Sequence, residues 1–257
     1  MIDTHTHIYL EEFDDDRQEV MQRAIDSSVG HLLLPNVDLT TIGPMHSLHE
    51  QYEHCTSMAM GFHPTEVDAD YRKALSQVEH WLGIKQYVAI GEIGIDLYWD
   101  STYHREQQAA FDAQCHWAVE LGLPVIIHCR NGLQQVLEVF DHFTGPLPQA
   151  VFHSFTGSID DIADIRRRGD FYFGINGIVT FKKSAIPQLL PVIGLNRILL
   201  ETDSPYLAPV PNRGKRNESA NIPYIADCIA SHLSLTCDEV SDATDHNAHR
   251  LFGIDNK

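Results

Sequence analysis

Short apolar runs alternate along this chain with longer stretches in which apolar residues recur at helical spacing. Ile2–His7, His31–Pro35, Thr56–Phe62, Tyr87–Gly91, Val125–His128, Ala150–Phe152, Phe171–Ile175 and Arg197–Leu200 are short, apolar and partly β-branched. That pattern predicts parallel strands covered on both faces. Between them, His104 to Leu121 places Ala110, Phe111, Cys115 and Ala118 on one helical stripe. Ser158-Ile-Asp-Asp161 and Thr236-Cys-Asp-Glu239 have the form of capping boxes. They open helices through Ile162 and Ile165, and through Val240, Ala243 and Leu251. Eight strands alternating with helices, at about 30 residues per unit, predict a closed (β/α)₈ TIM-type barrel. One domain over residues 1–257 is the expectation, because there is no repeat, low-complexity tract or linker-like stretch. The competing open, doubly wound sheet is disfavoured in its commonest form, since no G-x-G-x-x-G follows the first strand.

Composition narrows the setting. The hydrophobic fraction of 43% is enough to fill a large core. No stretch approaches the ~18 apolar residues of a membrane span. Met-Ile-Asp-Thr-His at the start has neither the basic nor the apolar region of a signal peptide, so a cytoplasmic protein without membrane association is expected. The five cysteines are odd in number and form no C-x-x-C pair, which predicts reduced thiols. With 36 acidic against 18 basic residues, the formal charge of −18 argues against non-specific coating of nucleic acid. A phosphate substrate would need local positive charge, from bound divalent metal or from a basic loop. Sixteen histidines exceed what a core requires and hint at metal.

The chemistry concentrates where the predicted strands end. His5 and His7 close the first run; in extended chain, residues i and i+2 face one side and can reach one ion. Glu92 follows Val88-Ala-Ile90, with Gly91 and Gly94 beside it to let the backbone turn. His128 closes the fifth run, His153 the sixth, and Asp203 follows the eighth. A lone histidine after an apolar strand is more often structural. Metal-type ligands recurring in phase with the βα unit are harder to explain that way. Nitrogen and oxygen donors without thiolate suit Zn²⁺, Mn²⁺, Fe²⁺ or partly hydrated Mg²⁺. Six such ligands suit a pair of ions about 3.5–4 Å apart, with Glu92 central enough to bridge them.

The segments D-T-H-T-H, G-F-H-P, G-E-I-G-I-D, H-C-R, H-S-F-T-G, E-T-D-S-P and R-G-K-R-N-E, in this order from Asp3 to Arg250-Leu-Phe252, resemble the TatD family of metal-dependent deoxyribonucleases. The resemblance implies His5, His7, Glu92 and Asp203 around one metal, and Glu92, His128 and His153 around the other. It also implies that His63 lies near the substrate phosphate. One departure falls in the substrate loop: Ser219 stands where such proteins usually carry proline.

Pro211-Asn-Arg-Gly-Lys-Arg-Asn-Glu218 is the one concentrated basic patch. It follows Asp203 closely enough to overhang the site, so Arg213, Lys215 and Arg216 are candidate contacts to flanking phosphates. Arg166-Arg-Arg168, late in a helix, suits its dipole instead. His46, His49, His54, His116 and His232 fall in helical patterns and read as surface or packing residues. The expected activity is hydrolysis of DNA phosphodiester bonds by metal-activated water, with Asp203 moving the proton and Glu92 the second catalytic carboxylate. Two alternatives stay open: a hydrolase of a small-molecule amide, ester or lactone, and a non-catalytic metal-binding protein. No obligate protein partner is inferred, and a monomer is expected.

Overall fold

A computed structural model of the chain describes residues 1–254; the last three positions of the 1–257 span lie outside the described residues. Eight parallel strands form one sheet in chain order: β1 (Ile2–Asp3), β2 (His31–Pro35), β3 (Thr56–Met60), β4 (Ala89–Asp96), β5 (Val125–Arg130), β6 (Ala150–Phe152), β7 (Tyr172–Ile175) and β8 (Ile198–Leu200). The helices α1 (Arg17–Asp26), α2 (Ile42–Gln51), α3 (Tyr71–Leu82), α4 (His104–Leu121), α5 (Leu133–His142), α6 (Ile159–Arg166), α7 (Ile186–Ile193) and α8 (Ile222–Leu233) carry the chain back after each strand, and α9 (Cys237–Phe252) follows. The ends of the sheet meet. Thr4 N–H donates to the Leu200 carbonyl at 2.9 Å, and Thr6 bridges Ser204 in parallel. The result is a nearly closed (β/α)₈ barrel, as the alternation predicts.

The side-chain period of two sorts each strand. Ile2, Leu33, Ala59, Ala89, Ile126, Val151, Tyr172 and Leu199, one from each strand, pack together with Ala248, Leu251, Phe252 and Ile254. This cluster fills the barrel and is closed from below by α9. Neighbours such as Leu32, Leu34, Ile127, Phe152, Phe173 and Leu200 pack instead into the larger cluster shared with the helices. Burial on both faces is why the strands read as unbroken apolar runs. Two residues beyond the inner ring come His128, His153, Gly174 and Glu201, so a polar layer sits directly above an apolar one.

Several boundaries differ from the sequence expectation. β1 stops at Asp3, and a bend at Thr4 carries His5 and His7 out of the strand. There the Asp3 carboxylate replaces ladder hydrogen bonds, accepting from Thr202 N–H at 2.9 Å, Thr202 Oγ1 at 2.6 Å and His5 N–H at 3.3 Å. β4 begins at Ala89 and runs on to Asp96, so Glu92 lies inside the strand rather than at its end. A register shift between Ile90 and Ile93 marks a bulge against β5. The extra residue changes the parity: Ile93 and Ile95 pack toward the helices while Glu92 turns inward. The helix over His104–Leu121 matches its prediction, and both capping boxes are reciprocal, Ser158 with Asp161 and Thr236 with Glu239. His54 falls in a turn, not a helix. All five cysteines are free, and among the described residues no helix is long and apolar enough to cross a membrane.

Candidate metal centre

The bend after β1, the β4 bulge, the ends of β5 and β6 and the turn after β8 deliver their polar side chains to one place. His5 Nε2 lies 3.1 Å from His7 Nε2 and 3.1 Å from Glu92 Oε2. Asp203 Oδ1 is 3.6 Å from His7 Nε2 and 4.0 Å from His5 Nε2. The other oxygen of Glu92, Oε1, is 2.7 Å from His128 Nδ1, 3.5 Å from His63 Nε2 and 3.6 Å from His153 Nε2. Thus the two oxygens of one carboxylate face two sets of imidazoles. All six sequence-predicted ligands are brought together. His63, expected beside the substrate phosphate, stands within the cluster, 3.1 Å from His128 Nδ1.

The donor set fits divalent metal. Four-coordinate ions with bonds of about 2.0–2.2 Å hold neighbouring donors roughly 3–3.5 Å apart. The separations here begin in that range, with His5 Nε2 3.1 Å from both His7 Nε2 and Glu92 Oε2. Three overlapping trios meet the same convergence: His5, Glu92 and His153; His5, His7 and Asp203; His63, Glu92 and His128.

Electrostatics point the same way. Burial opposes ionisation of Glu92, but His5, His153, His63 and His128 outweigh it and hold the carboxyl well below its usual range. Asp203 is lowered by His153, His7 and His5 against the same burial cost. Burial also disfavours charge on His153, yet Glu201, Glu92 and Asp203 push it up to about 10. Asp96 and Glu92 similarly overcome burial and raise His128 to about 9. His5, buried and stacked on His153 with centroids 3.5 Å apart, is pushed down to about 4. The carboxylates therefore hold positive charge among the imidazoles, a role that a bound divalent cation takes over.

Comparison with known proteins decides the family. The family described as TatD related DNase matches residues 2–253. The chain belongs to the TatD family. An uncharacterized metal-dependent hydrolase of Bacillus subtilis, YabD, is 34% identical over 255 residues, covering 99% of each chain. A 3'-5' ssDNA/RNA exonuclease, TatD of Citrobacter rodentium, is 35% identical over 263 residues, covering 99% of this chain and 98% of its own. The crystal structure of YJJV, a TatD homologue from Escherichia coli K12, superposes with a TM-score of 0.91 at 27% identity, covering 99% of this chain and 98% of that one. Membership makes the chain a metal-dependent hydrolase acting on ester bonds.

Behind the candidate ligands of this TatD site stands a set of residues to which the sequence assigns no role. Asp96 Oδ2 lies 2.8 Å from His128 Nε2, and Glu201 Oε1 lies 3.1 Å from His153 Nδ1. The Tyr9 hydroxyl meets His7 Nδ1 at 2.8 Å and donates to the Pro35 carbonyl. Such contacts fix ring orientation and leave the opposite nitrogen free for metal. Asp96 and Glu201 were visible inside the quoted motifs as acids near a ligand. What they touch depends on cross-strand register, which the sequence does not display.

The basic loop is divided. Arg216 is tied to the start of the chain, donating to the Glu12 carbonyl at 2.6 Å and to Asp16 at 2.7 Å while lying over Phe13. Arg213 stacks on Phe181 with its side chain exposed, and Lys215 is exposed. Arg166 donates to the Val192 and Ile193 carbonyls, so it complements the C-terminus of α7 rather than that of its own helix. His46 is buried against Tyr87 and Trp81, the packing role expected of it.

Proposed function

We propose that this chain is a deoxyribonuclease that hydrolyses DNA phosphodiester bonds with two divalent ions held by His5, His7, Asp203, Glu92, His128 and His153. The observation that carries the reading is Glu92, whose two oxygens each meet a separate group of imidazoles. Support for a nucleic-acid substrate comes from relatives of similar length named as single-stranded DNA/RNA exonucleases. Divalent cations at this site supply Lewis-acid charge to phosphoryl oxygens and make water more acidic. Glu92 holds the two halves of the site in register. Asp203 takes the proton of the attacking water at its carboxylate and returns it to the leaving oxygen. Its side chain is 16% exposed against 4% for Glu92, so it is the cluster carboxylate with access to solvent. Arg213 and Lys215 are free to contact flanking phosphates, whereas Arg216 must first release Asp16. His63, at the edge of the cluster, is placed to reach a phosphate oxygen or to share a cation with His128.

The test strips the protein of metal, restores Mg²⁺, Mn²⁺ or Zn²⁺, and follows end-labelled single-stranded DNA at two salt concentrations. Cleavage should require metal, weaken with salt, and fall at least about 100-fold in Asp203→Asn while the fold is retained. Turnover of small esters or amides without DNA cleavage would transfer the site to a small-molecule hydrolase.

A further inference from the structure

The tips of β4 and β5 carry a feature that the metal chemistry does not use. Trp99 is 70% exposed, more than any other large apolar side chain among the described residues, and Tyr98 beside it is 52% exposed. Their rings meet edge to face at 5.0 Å. The Arg130 guanidinium lies 3.7 Å from the Tyr98 ring centroid and 5.3 Å from that of Trp99. Burial cannot account for Trp99, which hides little of its surface. Nor is Arg130 neutralised: Arg23, Arg168, Arg197 and Arg216 all pair with carboxylates, whereas Arg130 has no carboxylate partner among the described residues. Arg72 and Arg213 also lie over rings without a carboxylate partner, but Tyr71 is buried and Phe181 half-buried, whereas the rings under Arg130 are exposed.

The group is locked to the metal centre. Tyr98 and Trp99 donate their N–H groups to Asp96 Oδ1 at 2.9 and 3.3 Å, while Asp96 Oδ2 holds His128 Nε2 at 2.8 Å. Leu97 N–H donates to the Arg130 carbonyl at 2.9 Å, fastening one strand tip to the other. One carboxylate therefore positions both a metal-ligand candidate and the aromatic pair.

Building on the nuclease reading, we propose that Tyr98, Trp99 and Arg130 form a platform for the single strand next to the bond being cleaved. A base of the strand stacks on Trp99, and Arg130, already seated on Tyr98, takes the adjoining phosphate. Aromatic faces hold every base similarly, and arginine adds charge, so the platform is tolerant of sequence. It lies on the β4–β5 side of the mouth, away from the loop after β8, and gives a strongly acidic protein a local hold on a polyanion.

The experiment compares the metal-loaded wild-type enzyme with Trp99→Ala, Trp99→Phe and Arg130→Ala on a short oligothymidylate. A base-free deoxyribose-phosphate strand of equal length serves as competitor. Trp99→Ala should raise KM about tenfold with kcat within about threefold, and Trp99→Phe should recover most of the loss. The competitor's inhibition constant should be the same for wild type and Trp99→Ala, because it has no base to stack. Arg130→Ala should weaken both strands and lower the salt slope by about 0.7. The platform is overturned if wild type cleaves the oligonucleotide and Trp99→Ala leaves KM within twofold, or if both strands lose equally in that variant. If wild type cleaves no DNA at all, the nuclease reading fails and the platform falls with it.

Discussion

Gly174 matters for what it leaves out. It stands two residues beyond Tyr172 on the inner face of β7, where a Cβ would collide with Glu201 Oε2. The missing side chain makes room for the carboxylate that orients His153. Gly174→Ala should therefore push Glu201 aside, and Glu201→Gln should remove its charge while keeping its shape. Each should weaken metal binding about 10–100-fold, read by competition with a chelating dye. An unchanged affinity in both would show that His153 needs no orienting partner. Asp203 adds a second constraint, with a φ of 57°. Aspartate tolerates this left-handed region better than most residues, which favours Asn over bulkier replacements in probing its role. The convergence of the six proposed ligands was legible in sequence because each sits at or just past an apolar run. Asp96, Glu201 and Tyr9 were not, because their partners lie on other strands. Arg216 misled for the same reason: Asp16, which holds it, is 200 residues away in sequence.

Among the elements, β4 taught most. Its apolar pattern ends at Ile90 if strict alternation is followed, and the bulge is what lets the strand continue while Glu92 changes sides. A one-residue insertion in one strand leaves no mark on composition, so the apolar pattern alone ends the strand at Gly91, whereas it runs to Asp96. Helices were more legible, since their stripes and caps are local; α4 and both capping boxes agree with expectation. Thr236→Ala should cost about 1 kcal/mol through loss of the α9 cap, measured by urea unfolding. Leu251→Ala, on the inward side of α9 and 5% exposed, should cost about 2–5 kcal/mol. A loss as small as the cap's would mean that the lower barrel collapses to fill the space.

Over the molecule as a whole, acidity and histidine content act at different ends. His31, at the start of β2 and far from the ligand-bearing strand ends, is pushed down to about 4 by burial, with His249 and His49 nearby. Its Nε2 meets Ser57 Oγ at 2.8 Å. The unfolded chain, titrating near 6.5, takes up a proton that the folded protein refuses until about pH 4. Stability present above pH 6.5 should thus decline as the pH falls through this window, by at most about 3 kcal/mol from this group. His31→Gln should flatten the profile in denaturant titrations at pH 7 and pH 5; an equally steep profile would place the dependence elsewhere. Saturating divalent metal should raise the melting temperature by binding only the folded state, and replacing any of the six proposed ligands, His5, His7, Glu92, His128, His153 or Asp203, should blunt that rise in proportion to lost affinity.

The apolar floor formed by the inner ring and α9 has one more implication, concerning traffic. Because the barrel is solid beneath the ligands, it has a doorway and no corridor. A polymer substrate could not be drawn through it as through a ring-shaped machine; it would have to lean in from one side, and both fragments would have to back out the way they came. On the nuclease reading, a strand would be retained between cuts only by what grips it at the threshold.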